Sequence, residues 1–534
     1  MRLQVAGTPA SPGLARGPLH LLEDDPRCVR RAAGDAQSES SLLRDALAKA
    51  TGELAQLMAR TGDADARALL EFQIAMLEDD AIVAPALTAI ATGEPANAAW
   101  RAALDDQVHD YRSSPDAYFA ARAADLEDMR DRVLRCMGDG PEPAAIPAGA
   151  IVVASDLAPS RFLEMVWNGG GIALFAGSPH SHLATLARAR GVPMIVAMAS
   201  APILPPGDVL LDADNGVLIA APDRESVRAF DARRAAAEAL RRTEAQFATR
   251  PALTADGLRV RVLLNVAQLD DLAAISPDHC DGIGLVRTEM LLCEPAELRD
   301  EDVQYQRYRA IVTWAQGKPV TFRTLDAGGD KPIEGYTYSG ESNPFLGLRG
   351  VRLSLRHPDI LASQLRALAR AAAAGNVNVM VPMVTVSDEF ERVRAVLAAV
   401  LADLEATGQP HRAPPLGMMV EVPAAALTID TFSADFFSIG SNDLIAYTAA
   451  AGRDGQSLAA LTDPLQPAVM RLIRGILESA RAAGRDVSLC GDMASDARCL
   501  PSLLGAGLRS LSIAPALLGR VKAAIAAHSE SSLG

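Results

Sequence analysis

The stretch LGMMVEVPAAALTIDTFSADFFSIGSNDL, residues 416–444, holds two short apolar runs, Leu416–Val420 and Phe436–Ile439, that both close on polar groups. Glu421 follows the first, and Asn442 with Asp443 follow the second. Runs of this length, bounded by turn residues and alternating with helical patterns, read as buried strands of a parallel sheet. Outward from this stretch the same unit recurs at Val262–Val266, Gly282–Val286, Val320–Phe322, Val377–Val381, Val487–Leu489 and Leu511–Ile513. With the first two this makes a set of eight strand candidates between Pro251 and the end of the chain, the pattern of a (β/α)8 TIM-type barrel over 251–534. At or just past the strand ends stand Asn265, Arg287, Arg323, Met383, Glu421, Asn442 with Asp443, Cys490 and Ala514. Polar groups at the carboxyl ends of barrel strands converge on one mouth, where such barrels do their chemistry.

Arg287 and Arg323 follow strands directly, and Arg453 comes ten residues after Asp443. Guanidinium groups offer paired donors matched to phosphate and carboxylate, so three near one mouth predict a small polyanion. Glu421 and Asp443 suit Mg²⁺, which takes one or two protein carboxylates and completes its octahedron with substrate oxygens and water. The alternative is that they pair with the arginines. Cys490 is the cysteine at a strand end, where a thiol can exchange a proton with a carbon centre, although a buried inert thiol reads the same way.

Upstream, residues 1–22 read as a short strand followed by the turn residues Gly7, Ser11, Pro12, Gly13 and Gly17. Residues 23–145 are rich in alanine, leucine and acidic residues, and read as a helical insert. Its acidic cluster, Glu78, Asp79 and Asp80, is either a solvated helix end or a partner-binding face. From 146 to 222 short strands alternate with helices, which predicts an α/β domain completed by residues 1–22. Residues 223–250 carry no Gly or Pro and predict one linker helix.

Within the α/β region, Ala176-Gly-Ser-Pro-His-Ser-His182 leads into a helical pattern that Gly191 and Pro193 close. His182 therefore stands at a helix N-terminus, where unpaired N–H groups and the dipole favour an anion such as a phosphoryl group on the imidazole. The plain alternative is a loop histidine that merely starts a helix.

The 534 residues carry a net charge of −15, with 49% hydrophobic and 22% charged residues. That balance excludes nucleic acid as the main partner and favours a basic protein surface. Charges interrupt every apolar segment before the roughly 18 residues of a membrane span. The opening Met-Arg-Leu-Gln-Val-Ala-Gly lacks the apolar core of a signal peptide, which predicts a cytoplasmic protein. The six cysteines show no C-x-x-C pair or zinc spacing, and read as reduced thiols.

Ser11-Pro12-Gly13, the loop and helix around His182, Asn343-Pro-Phe-Leu-Gly-Leu-Arg349, Val420-Glu-Val-Pro-Ala-Ala, Ser441-Asn-Asp-Leu and Cys490-Gly-Asp together resemble, in order and from end to end, enzyme I of the bacterial phosphoenolpyruvate-dependent sugar phosphotransferase system. The resemblance implies self-phosphorylation from phosphoenolpyruvate with Mg²⁺, then transfer to a histidine of the small carrier protein HPr. It places the phosphorylated residue at His182 rather than His180. It assigns substrate binding to Arg287, Arg323, Asn442 and Arg453, Mg²⁺ to Glu421 and Asp443, and protonation of the enolate to Cys490. It also implies a homodimer formed through the barrel, HPr binding by the 23–145 insert, and a linker helix hinged near Pro222 and Pro251 that lets His182 move between the barrel and HPr.

Three positions depart from the family pattern. His180 adds an imidazole beside His182, Ala158 stands where a threonine hydroxyl is usual, and Asp492 replaces a glutamate. Other readings are a dikinase or synthase on the same barrel, a regulatory phosphorelay, and a degenerate relative. The first lacks its nucleotide-binding domain before His182, and the last is opposed by intact residue types at every mapped position.

Overall fold

The computed structural model describes residues 2–22, 33–61, 64–112, 117–138, 146–179, 181–199, 204–273, 275–292, 294–329, 331–338, 340–452, 458 and 460–529. His180 and Arg453, singled out above, and two of the six cysteines, Cys28 and Cys293, lie outside these residues. The chain divides into two compact units, Met1–Ala237 and Glu238–Gly534. The division falls within the helix Arg224–Ala248, the observed form of the expected linker helix. Asp223 caps its N-terminus by accepting a hydrogen bond from Ser226 N at 2.8 Å.

The first unit is built on strands β1 (Leu3–Ala6), β2 (Thr8–Ser11), β3 (Leu14–Leu21), β4 (Ile151–Ala154), β5 (Gly171–Leu174), β6 (Met194–Val196), β7 (Asp208–Asp212) and β8 (Val217–Ala220). They form one sheet in the order β1-β8-β7-β3-β4-β5-β6-β2. β3 joins its halves, running antiparallel to β7 over Leu14–Pro18 and parallel to β4 over Leu19–Leu21. Residues 1–22 thus supply three strands rather than the single one expected. β2 escapes a sequence reading because it contains Pro9, which a strand tolerates at a sheet edge, and β2 is the edge strand. β8 was also not anticipated.

Five helices follow β3: Ala36–Arg60, Ala64–Glu78, Asp80–Ala91, Ala96–Arg112 and Ala117–Cys136. Strand alternation directs Ile172, Leu174, Met194 and Val196 into one core with Leu43, Leu54, Trp100 and Leu126 of the helices. Ala173 and Ile195 face the opposite way, into a second core with Val5 and Leu211. A buried polar cluster pins the last of the five helices. Asp128 accepts from Ser160 Oγ at 2.7 Å, Ser160 N at 3.0 Å and Gln73 Nε2 at 3.1 Å, and Arg132 donates to Ser160 Oγ at 2.8 Å.

The second unit is a closed parallel barrel of β9 (Arg261–Val266), β10 (Ile283–Arg287), β11 (Val320–Arg323), β12 (Val377–Val381), β13 (Leu416–Val420), β14 (Phe436–Gly440), β15 (Asp486–Cys490) and β16 (Ser510–Ile513). β16 pairs in parallel with β9 and completes the ring. All eight apolar runs read from the sequence are barrel strands. Their outward side chains and the surrounding helices form one continuous core, with Phe322, Val379, Met418, Ile439 and Leu489 fully buried. Among the described residues no helix is long and apolar enough to cross a membrane.

Candidate functional site

At the carboxyl ends of the barrel strands a cavity of about 410 Å³ is lined by Arg287 of β10, Arg323 of β11, Glu421 after β13, Asn442 and Asp443 after β14, and Cys490 with Asp492 at the end of β15. The structure therefore brings together every mapped barrel residue that it describes. Asn265 stays outside this group. Its amide is taken up by Ser512, donating to the carbonyl oxygen at 3.1 Å and accepting from Oγ at 2.6 Å, so it ties β9 to β16.

Four further charged residues complete the site. Arg323 is buried and pairs with Glu289 and, at 3.1 Å, with Asp326. Lys331 reaches Glu289 at 2.9 Å and Asp326 at 3.3 Å, while Arg349 reaches Asp326 at 3.0 Å and Asp443 at 3.3 Å. Asp326 follows Arg323 by three residues and Arg349 closes the stretch Asn343–Arg349, but nothing in their spacing shows that the two loops meet. Burial alone would raise the Asp326 carboxyl, yet Arg323, Arg349 and Lys331 outweigh it and hold the group well below the usual carboxylate range. The pairing alternative is thus half realised: Asp443 has an arginine partner, but it is Arg349 rather than one of the three expected.

Glu421 is in the opposite situation. It is buried, and its Oε1 accepts from the backbone N–H of Met383 at 2.7 Å. Met383 holds a left-handed φ of 56°, rare for a non-glycine residue, and so bears strain where it contacts a site carboxylate. Burial, with the negative charges of Asp326 and Asp443 adding to it, pushes the Glu421 carboxyl up to about 8. Among the described residues around the mouth, Arg287, Arg323, Lys331 and Arg349 face Glu289, Asp326, Glu421, Asp443 and Asp492. Among the described residues no group of three or more His, Cys, Asp or Glu is arranged to hold a metal ion by itself.

Cys490 is buried, with Ser438 Oγ donating to its sulfur at 3.6 Å and its own S–H directed at Ile439 O, 3.5 Å away. Burial pushes the thiol up to about 11, so at neutral pH it carries its proton. Asn442 is clamped by the next turn. Its Oδ1 accepts from Asp492 N at 2.9 Å, and its Nδ2 donates to Asp492 Oδ2 at 3.2 Å. With the oxygen fixed by a backbone N–H, the amide keeps its donor end as the group available to a ligand. Gly491 makes this possible at φ +97°, where an added Cβ would stand 2.7 Å from Asn442 Oδ1. Gly491→Ala should therefore cost about 1–3 kcal/mol in denaturant unfolding; an unchanged midpoint would contradict the clamp.

His182 belongs to the other unit. It opens the helix His182–Ala189, which buries Leu183, Ala184, Leu186 and Ala187, and Ser181 caps that helix by accepting from Ala184 N at 3.2 Å. Gly191 adopts φ +63° just past the end, as its place in the sequence predicts. Arg188 donates to Ala10 O at 2.7 Å and Pro179 O at 2.9 Å, which fastens the preceding loop to β2. The His182 ring is 41% exposed, with Nδ1 3.5 Å from Oδ2 of the buried Asp125. Ala158 is the N-cap of the helix Pro159–Glu164 and provides no side-chain cap.

Three sequence families align with this arrangement. The PEP-binding domain of PEP-utilising enzymes matches residues 241–530, their N-terminal domain residues 6–122, and their mobile domain residues 146–216. The phosphoenolpyruvate-protein phosphotransferase of Geobacillus stearothermophilus is 35% identical over 529 residues, covering 95% of this chain and 90% of that protein. The protein of the same name from Cupriavidus necator is 35% identical over 570 residues, with 99% and 95% covered. The multiphosphoryl transfer protein of Xanthomonas campestris pv. campestris is 35% identical over 548 residues, with 99% of this chain and 64% of that protein covered.

Proposed function

Because the chain belongs to the phosphoenolpyruvate-protein phosphotransferases, we propose that it moves the phosphoryl group of phosphoenolpyruvate onto its own His182 and then to a histidine of an HPr-type carrier. The observation that carries this reading is the convergence of Arg287, Arg323, Asn442 and the protonated thiol of Cys490 around one cavity. Phosphoryl transfer asks little covalent chemistry of the protein beyond an aligned nucleophile and fixed positive charge on the transferred oxygens. The arginines bind the phosphate and carboxylate of the substrate through paired donors, and the free N–H of Asn442 adds a neutral one. Arg453 would add to them from outside the described residues. As the bond from phosphorus to the enol oxygen breaks, the electron pair stays on that oxygen. Cys490 gives its proton to the terminal carbon of the enolate, and pyruvate leaves.

The donor set fits Mg²⁺. Glu421 and Asp443 would hold it, since burial and the negative charges of Asp326 and Asp443 raise Glu421, and a cation there would offset both. The ion would supply positive charge to the phosphate oxygens when bound. The carrier, the sugar-uptake pathway, the cytoplasmic location and a homodimer through the barrel complete the proposal. The acidic cluster Glu78, Asp79 and Asp80, beside and at the start of the helix Asp80–Ala91, supports a basic partner surface through its exposed side chains.

The test is incubation of the wild type, His182→Ala and His180→Ala with phosphate-labelled phosphoenolpyruvate and Mg²⁺. Acid-labile, alkali-stable label should appear on the wild type and His180→Ala and be absent from His182→Ala, with pyruvate released in step. Label that survives in His182→Ala would move the nucleophile elsewhere, and a folded wild type that takes none would sink the reading.

A further inference from the structure

Behind Cys490 two hydroxyls of the barrel interior form a chain that ends on its sulfur. Asp486, Ser488 and Cys490 alternate along β15 and so share its inward face, and Ser438 of β14 stands directly across from Ser488. Ser488 Oγ donates to Ser438 Oγ at 3.0 Å, and Ser438 Oγ donates to Cys490 Sγ at 3.6 Å. Exposure grows in the opposite direction. Cys490 and Ser438 are buried, Ser488 is half-buried, and Asp486 at the start of the strand is exposed. Among the described residues Cys490 lines the mouth cavity and the two serines do not, so Ser488 meets solvent from the amino ends of the strands rather than from the mouth. Barrel interiors are mostly filled by branched apolar side chains. Two hydroxyls in register give up that packing for a polar path.

A thiol that has protonated a carbon is left as a thiolate and must regain a hydrogen before it can act again. While the product still fills the mouth, the cavity side of the sulfur is covered. The hydroxyls reach it from the other side, and a hydroxyl can accept one hydrogen while giving up another. Both of their donor bonds already run toward the sulfur, the direction that reprotonation requires. We propose that Ser438 and Ser488 form a proton relay that recharges Cys490 from the amino ends of the barrel strands. The proposal rests on the reading of Cys490 as the group that protonates the enolate. In the relay the thiolate sulfur takes the hydrogen of Ser438 Oγ, Ser438 Oγ takes that of Ser488 Oγ, and Ser488 Oγ takes one from water. Each bond that breaks leaves its electron pair on the oxygen that gives the hydrogen, both serines end neutral, and hydroxide passes to solvent. Rotation of the two hydroxyls restores the starting bonds. Neither serine touches the substrate.

The experiment follows deuterium entering the Cys490 thiol of the full chain after transfer to D₂O, read by Raman spectroscopy as the S–D stretch that is missing in Cys490→Ala. His182→Ala serves as the parent, because phosphoenolpyruvate and Mg²⁺ then fill the mouth without a phosphoryl acceptor. With no substrate the thiol should exchange quickly through the open mouth in the parent and in parents carrying Ser438→Ala or Ser488→Ala. With phosphoenolpyruvate and Mg²⁺ bound, the parent should still exchange, while either alanine variant should slow it about 10²-fold, the lower end of what a positioned proton-transfer group contributes. Ser488→Thr keeps a hydroxyl at the half-buried position and should restore exchange. Ser488→Ala also covers the case in which Ser438→Ala, at the fully buried position, does not fold. With His182 intact, pyruvate should form in the first turnover at close to the wild-type rate in both alanine variants, since the thiol starts with its proton. Exchange equally fast in every variant with substrate bound would mean that the proton arrives through the mouth, and overturns the proposal. A first turnover slowed as much as the exchange overturns it too, because the serines would then only support the thiol. An unchanged rate of pyruvate formation in Cys490→Ala instead removes the reading beneath the proposal, and the exchange measurement, which needs no turnover, tells the two failures apart.

Discussion

Replacing Arg323 by methionine should both cut turnover of phosphoenolpyruvate by about 10²–10³ and weaken the barrel. The guanidinium is buried between Glu289 and Asp326, with Met419 Sδ 3.7 Å from one of its nitrogens. Removing it leaves two buried carboxylates facing each other with Lys331 and Arg349 as their remaining cations. Breaking one side of a buried ion pair costs about 3–5 kcal/mol, and the loss here should sit toward the lower end because two cations remain. The catalytic loss is separate. A fixed cation aimed at developing charge is worth about 10²–10³ in kcat, and Arg323 lines the cavity. Arg323→Lys separates the two effects. It keeps the charge that Glu289 and Asp326 need, so unfolding should return toward the wild type, but it loses the planar fork, so turnover should stay low. Denaturant titration and steady-state kinetics on both variants decide this. Wild-type turnover in Arg323→Lys would show that the arginine serves only its carboxylates.

The same residues show how far the sequence could be read. Each barrel strand is a short apolar run with turn chemistry on both sides, and in a parallel sheet covered on both faces that local pattern is nearly the whole signal. The mouth was legible for a related reason, since a charged residue directly after an apolar run, such as Arg287 or Glu421, has nowhere to go but the strand end. Glu289, Asp326, Lys331 and Arg349 were not assigned, because their roles arise only when the loops after β10 and β11 fold back over one another. Asp125 was hidden more thoroughly. In Ala-Ala-Asp125-Leu-Glu-Asp128-Met-Arg-Asp-Arg132 the charges read as a solvated helix face, and only packing against neighbouring helices, Pro159–Glu164 among them, buries three of them. Short strands interrupted by Pro and Gly, as in residues 3–21, lack the periodicity that a sequence reading needs.

Cys490→Ala should slow pyruvate formation by about 10²–10⁴, the usual contribution of a positioned general acid, while the KM for phosphoenolpyruvate stays close to the wild type. The split follows from the geometry. The thiol lies at the end of β15, and its bonds run to Ser438 and Ile439 within the barrel, so it contributes little to holding an anion. On the proposed reading, what it contributes is a proton. Burial raises the group from the ordinary thiol range to about 11, which keeps the acid form through neutral pH. The sign follows directly: the group donates as the neutral thiol, so the role is present below about 11 and is lost as pH rises through it. The wild type should therefore show no loss attributable to this group between pH 6 and 9, and iodoacetamide should alkylate Cys490 slowly there, because the thiolate is the reactive form. Cys490→Ser keeps a proton-bearing group of similar size and should recover part of the rate lost in Cys490→Ala, with little change in KM. Proton exchange into pyruvate in D₂O gives a second readout: deuterium should enter the methyl group with the wild type and fail to do so at a comparable rate with Cys490→Ala. Rapid exchange in the alanine variant would mean that another group at the mouth delivers the proton, and Cys490 would then be the inert buried thiol.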